Sequence, residues 1–193
     1  YKMDSFFDKL NSTEGNGNVE AEYPFETDIV ESELSTQFLE SIPLKSSTGQ
    51  QAIYVPLGCV QTFEDIDEVC TLRFHSTSDN EQIDGSVIVL PLEPGSVTNI
   101  FGKETVEELI LQMTEDDPEA DDYEVNEISK VVKGQNKGVF LDFSVLYGNS
   151  AVRNLLYATL KNDNLVMAVV TIPQQMSEQL GSRAFTSAVT LTV

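Results

Sequence analysis

The chain has 193 residues, 40% of them hydrophobic, enough for one domain with an appendage or at most two small domains. Its 32 acidic residues stand against 11 basic ones, a formal charge of −21, which repels nucleic-acid phosphates and anionic membrane surfaces and suits basic surfaces or cations as partners. A strongly solvated surface that keeps an abundant protein soluble would carry the same charge.

No run approaches the ~18 apolar residues of a membrane span, and the start lacks the basic-then-apolar order of a signal peptide. A first residue of Tyr1 rather than Met suggests a processed, mature form. Phe6, Phe7 and Leu10 share a helical face before a run of Asn, Ser, Thr and Gly from Asn11 to Asn18, so residues 1 to about 22 read as a docking helix or turn and a flexible linker. Those three apolar residues either anchor the terminus on a partner or cover a patch of their own domain. Asn11-Ser12-Thr13 matches a glycosylation acceptor, a pattern common by chance. Further on, Leu34, Phe38 and Ile42 recur every four residues, which predicts an amphipathic helix over Ile29 to Ser41 stopped by Pro43. Residues 1–49 therefore read as an extension, and residues 50–193 as the folded domain.

Gln51 to Leu57 reads as an apolar strand and Val69 to His75 as another. Cys59 and Cys70, eleven apart across a turn at Glu64 to Asp67, are either a disulfide between facing strands or a pair of reduced, buried thiols. With one His in the whole chain they do not make a zinc site. That histidine, His75, ends a strand; a catalytic role would need a nucleophile or orienting carboxylate beside it, and most lone histidines have neither.

Ser86 to Met113 is the most legible stretch. Val87, Ile88 and Val89 are β-branched strand formers, Pro91, Pro94 and Gly95 make a turn, and Val106, Leu109, Ile110 and Met113 at i, i+3, i+4 and i+7 define the inner face of a helix. Glu104, Glu107, Glu108 and Gln112 fall on its outer face, with acids in the first turns where the helix dipole favours them. Seven acids then lie between Glu115 and Glu124. No register supplies the Gly and Glu of a calcium-binding loop, so loose cation condensation fits better than a specific calcium site.

Four strands follow: Tyr123 to Val132, Gly138 to Tyr147, Arg153 to Lys161 and Leu165 to Ile172. They are antiparallel neighbours, the last two joined by Asn162-Asp163, residues that tolerate positive φ. Lys130, Lys133 and Lys137 form the basic cluster, which either pairs with the acidic run before it or docks a partner. A helix containing Leu180, Phe185 and Val189 closes the domain. No phosphate loop, dinucleotide fingerprint, metalloprotease motif or nucleophile elbow is present, and in so acidic a chain no single carboxylate pair is informative about hydrolysis.

Leu72-Arg73-Phe74, the run Ser86 to Leu90, Ser96-Val97-Thr98-Asn99-Ile100-Phe101-Gly102 leading into Glu104 to Leu109, and the end from Arg183 to Val193 together resemble the PsbP family of extrinsic lumenal photosystem proteins. The resemblance covers roughly Gln50 to Val193. Pro56 matches the family's strand-ending Pro, but the Trp that typically follows is absent, which points to a divergent member. The resemblance implies an α+β fold, a central antiparallel β-sheet flanked by helices in an α/β/α sandwich, with Arg183 to Val193 as closing helix and last strand. It implies a non-enzymatic subunit on the lumenal side of a photosystem, photosystem II before photosystem I, without a tightly bound cofactor but with loose calcium. Its partners would be the photosystem core and other extrinsic lumenal subunits, with no nucleic acid, and it would lie peripheral to the membrane in the chloroplast thylakoid lumen. The alternatives are a secreted or lipid-anchored binding module of the bacterial cell envelope and, more remotely, a carboxylate-based hydrolase.

Overall fold

The computed structural model describes residues 21–35, 37, 39–46, 49–97, 99–115 and 117–193. Its centre is three consecutive hairpins made by β7 (Asp122–Lys133), β8 (Asn136–Tyr147), β9 (Ser150–Lys161) and β10 (Asn164–Pro173). Asn162 and Asp163 both have positive φ in the last turn, as their short polar side chains allow. Beside β10 lie, in order, β6 (Asp84–Pro91), β5 (Cys70–Ser76) and β4 (Cys59–Thr62), all antiparallel. On the far side of β7 lies β1 (Thr27–Val30), which runs parallel to it and makes the eight-stranded sheet mixed rather than antiparallel throughout. A separate hairpin pairs β2 (Leu39–Ser46) with β3 (Gly49–Pro56).

The alternating side chains of the sheet feed two cores. On one face Leu90, Leu141, Leu156 and Met167 pack with Val106, Leu109 and Met113 of helix α1 (Lys103–Glu115). On the other face Val87, Phe140, Tyr157 and Val166 pack with Leu180, Ala184 and Val189 of helix α2 (Ser177–Val189), and Ile53 and Val55 of β3 close that side. Gly85 is required here by close approach. The ring of its cross-strand neighbour Phe74 occupies the space of a Cβ, 2.0 Å from where that atom would stand.

Three expectations give way. No helix spans Ile29 to Ser41: Thr27–Val30 extends along β7, a short 3₁₀ turn follows at Glu31–Glu33, and Leu39 onward belongs to β2. The open edge of β7 and the eight-residue ladder with β3 satisfy the backbone of this segment, whereas a short acidic helix would have repeated like charges along its surface. The expected last strand is a single bridge, Ala52 to Thr192. Gln112, placed by spacing on the outer face of α1, is buried together with Thr105 and Thr114, so the covered surface of this helix is wider than its apolar stripe. The segment from Ala21 to Tyr23 is bonded at the start of the helix: Lys103 N–H donates to the Ala21 carbonyl and Tyr23 N–H to that of Phe101.

Candidate functional site

Helix α1 ends at Glu115 and leaves the far end of its sheet face uncovered. Strand register determines what lies there. A single cross-strand row runs Val125, Phe143, Asn154, Thr171, Asp84, His75, Val60, each residue directly opposite the next. The neighbouring row on the same face, two residues away on every strand but β7, where a register shift makes it three, runs Ile128, Leu141, Leu156, Val169, Ser86, Arg73, Thr62. The floor changes along its length from apolar at β7 and β8, through an amide and a hydroxyl, to charged and ring nitrogen groups at β5.

Two cavities use this floor and share Thr171. The first, about 430 Å³, is polar and lies over β4, β5 and β6, lined by Thr62, Glu64, Asp65, Arg73, His75, Asp84 and Ser86 among others. The second, about 410 Å³, lies at the end of α1 between Met113, Pro118 and the floor residues Phe143, Val145, Val152 and Asn154.

The polar cavity ends in the β4–β5 hairpin, which is the open edge of the sheet. Its turn is tied down by Asp67, whose Oδ1 accepts from the N–H groups of Val69 (2.8 Å) and Cys70 (2.7 Å). Arg73 pairs with Asp65 at 3.2 Å. From Leu57 to Val69 the chain exposes Leu57, Val60, Phe63, Ile66 and Val69, and Phe63 is 79% exposed. The turn interleaves Phe63, Ile66 and Val69 with Glu64, Asp65, Asp67 and Glu68, a tip that is both apolar and acidic. Singly scattered apolar residues need no explanation, whereas these five fall within thirteen residues at an edge of the sheet, Val60 on β4 itself and the others just before it and in its turn. The spacing of Phe63, Ile66 and Val69 among acids was visible in the sequence, but only as a turn.

On the opposite face, Asp142 is held by Arg153 through Nε (3.0 Å) and Nη2 (2.6 Å), and Asn126 donates to both Asp142 and Ser144. Ser144 in turn bonds Gln174 before α2, and Arg153 Nη1 lies 2.9 Å from the position of a Cβ on Gly181. This network fastens α2 to β8 and β9. Burial, then the charges of Asp142 and Glu26, push the Glu127 carboxyl above its ordinary range.

The three lysines singled out in the sequence do not gather. Lys130 and Lys133, three apart on one strand, point to opposite faces. Lys130 bonds Glu22 at 2.6 Å and lies over the rings of Phe25 and Phe101, and among the described residues it forms no ion pair with the acidic run after α1. Lys133 is 7% exposed, donates to the Leu191 carbonyl at 2.6 Å and stands 4.3 Å from the Tyr157 ring centre, so it has no surface to offer a partner. Lys137 is exposed at the start of β8. Phe6, Phe7 and Leu10 lie outside the described residues. Cys59 and Cys70 are free thiols and do not face each other: Cys59 stands opposite Ser76 and Cys70 opposite Ile88, at opposite ends of the hairpin. In the acidic run Asp117 accepts from Tyr147 Oη and from the Glu119 N–H, and Asp121 from the Gly148 N–H, so these side chains brace turns. Among the described residues no group of three His, Cys, Asp or Glu is arranged to hold a metal ion, and no helix is long and apolar enough to cross a membrane.

One mixed sheet with a helix packed on each face defines a PsbP/Mog1-like fold. Cyanobacterial PsbP from Synechocystis matches with a TM-score of 0.62 at 15% identity, over 80% of this chain and 92% of that one. A point mutant of Mog1 matches at 0.54 and 12% identity, over 80% and 95%. LpqN, involved in cell envelope biogenesis of Mycobacterium tuberculosis, matches at 0.53 and 9% identity, over 80% and 90%. No family model and no curated protein matches the chain. At these identities the likeness establishes the fold.

Proposed function

We propose that this chain is a non-enzymatic binding module that docks onto a basic surface of a larger assembly through its β4–β5 hairpin. The observation that carries the reading is the hairpin itself: five exposed apolar side chains within thirteen residues, Val60 on the edge strand, Leu57 just before it, and Phe63, Ile66 and Val69 in the turn, where four acids are interleaved. Apolar contacts supply affinity, and the acids, in a chain of charge −21, steer it to positive potential and reject acidic partners. The acids beside the polar cavity suit this role better than hydrolysis. The Asp65 side chain is 82% exposed and paired with Arg73, open to the water that a catalytic cleft excludes.

The setting we favour is the lumenal side of a photosystem, photosystem II before photosystem I, where the chain would stabilise the complex and help retain ions, with loose calcium and no tightly bound cofactor. The likeness to cyanobacterial PsbP supports it. The likeness to LpqN supports a second setting, a secreted or lipid-anchored module of the bacterial envelope. Co-sedimentation with photosynthetic membranes stripped of extrinsic subunits, at stepped salt, separates the two. The lumenal reading expects saturable binding released by salt and weakened by Phe63→Ser with Ile66→Ser; absence of binding at every salt concentration favours the envelope.

A further inference from the structure

We infer that the cavity at the end of α1 is a binding site for a compact, neutral, apolar molecule that presents one hydrogen-bond acceptor, of the ring-ketone class. It goes beyond the docking reading and uses none of the hairpin's residues.

The walls are set by the fold. Met113 in the last turn of α1 is buried, and the loop beyond it is fixed where Asp117 accepts from Tyr147 Oη and from the Glu119 N–H. Phe143 and Val145 of β8 and Val152 of β9 form an apolar floor. A volume of about 410 Å³ lies within the ~300–1,000 Å³ of small-molecule sites and holds a two- or three-ring compound.

Of the polar residues in this lining, Asp117, Tyr147, Asn154 and Thr171, the amide of Asn154 specifies the acceptor. Asn154 is 6% exposed, and its Oδ1 accepts from Thr171 Oγ1 at 3.0 Å. With the amide oxygen turned to Thr171, that bond commits the Thr171 proton and leaves the amide nitrogen without a bond to Thr171. The Asn154 amide nitrogen then donates to no atom among the described residues, and Asn154 lines the cavity. It has an acceptor only if something enters the cavity. Water can serve, and a carbonyl oxygen on an apolar body serves while also covering Phe143, Val145 and Val152. No Lys or Arg lines the cavity and Asp117 stands at its rim, so an anion has no counter-charge there.

The test uses prodan, a neutral naphthalene ketone whose emission moves to the blue on leaving water and to the red when its carbonyl accepts a hydrogen bond. The full chain is expected to bind it saturably at one to one. Val152→Trp fills the cavity from its half-buried wall and should weaken binding at least ~tenfold, about 1.4 kcal/mol. Asn154→Asp keeps an acceptor for Thr171 and removes the donor; it should weaken binding about tenfold and shift the emission of the bound dye further to the blue. Arg73→Ala, in the polar cavity, should leave both readouts unchanged. Unaltered melting curves show that each variant is folded. Failure to saturate, Val152→Trp binding as the parent does, or Asn154→Asp leaving affinity and emission unchanged would each overturn the inference.

Discussion

Lys133 gives the sharpest test of how this sheet is assembled, because the structure buries a side chain that sequence reading sends to the surface. Burial pushes its ammonium from an ordinary value of 10.5 down to about 8, with Glu31 acting weakly in the other direction. The unfolded chain therefore holds this proton more tightly than the folded one between those values, and stability must rise with pH across that window. With 1.36 kcal/mol per unit as the limiting slope, the gain is about 1 kcal/mol between pH 8 and 9 and about 2.5 kcal/mol between pH 7 and 10. The Leu191 carbonyl at 2.6 Å and the Tyr157 ring at 4.3 Å both favour the charged form, so these are upper values. Three groups oppose the trend at higher pH. Burial holds the Cys59 thiol up to about 11 and the Tyr157 phenol up to about 12 and raises the Cys70 thiol, so the folded chain keeps protons that the unfolded chain loses above pH 9 and 10. Urea unfolding followed by circular dichroism at pH 7, 8 and 9, on the parent chain and Lys133→Met, isolates the lysine. The parent should gain stability relative to the variant as pH rises. Parallel pH profiles would refute the buried, charge-destabilised lysine.

Leu109→Ala should cost about 2–5 kcal/mol, since Leu109 is 1% exposed in the core beneath α1; an unchanged melting temperature would mean that α1 does not cover the sheet. Thiol titration of the unfolded chain without reductant should count two free cysteines, and the folded chain should react slowly at pH 8, since burial raises both thiols above their ordinary range. Recovery of a Cys59–Cys70 disulfide from oxidised protein would contradict the hairpin register.

Where the sequence was legible, local rules and the final fold agreed. Val106, Leu109 and Met113 at helical spacing do face the sheet, and Asn162-Asp163 does turn β9 into β10. Strands β7 to β10 are long and each pairs with its chain neighbour, so their contacts are encoded nearby. Leu34, Phe38 and Ile42 misled because spacing by four describes a helix only when the backbone has no better partner. Thr27–Val30 finds one about a hundred residues away on β7, and nothing local announces it. The lysines were misjudged differently. Lys130 and Lys133 lie an odd number of residues apart on a strand already legible as one, and period two alone sends them to opposite faces. The candidate site was the least legible part. Asn154, Thr171, Asp84 and His75 come from four strands and become neighbours only through register, while the edge position of β4 that exposes Phe63 is a property of the whole sheet order.

The measurement that bears most directly on the docking claim is hydrogen–deuterium exchange of the chain free and bound to stripped photosynthetic membranes. The account predicts that amides from Leu57 to Cys70, the outward-facing edge of β4 and its turn, become protected on binding while those of α1 and β8 do not change. Protection centred on α1 or on β1, with the hairpin exchanging as fast as in the free chain, would contradict it.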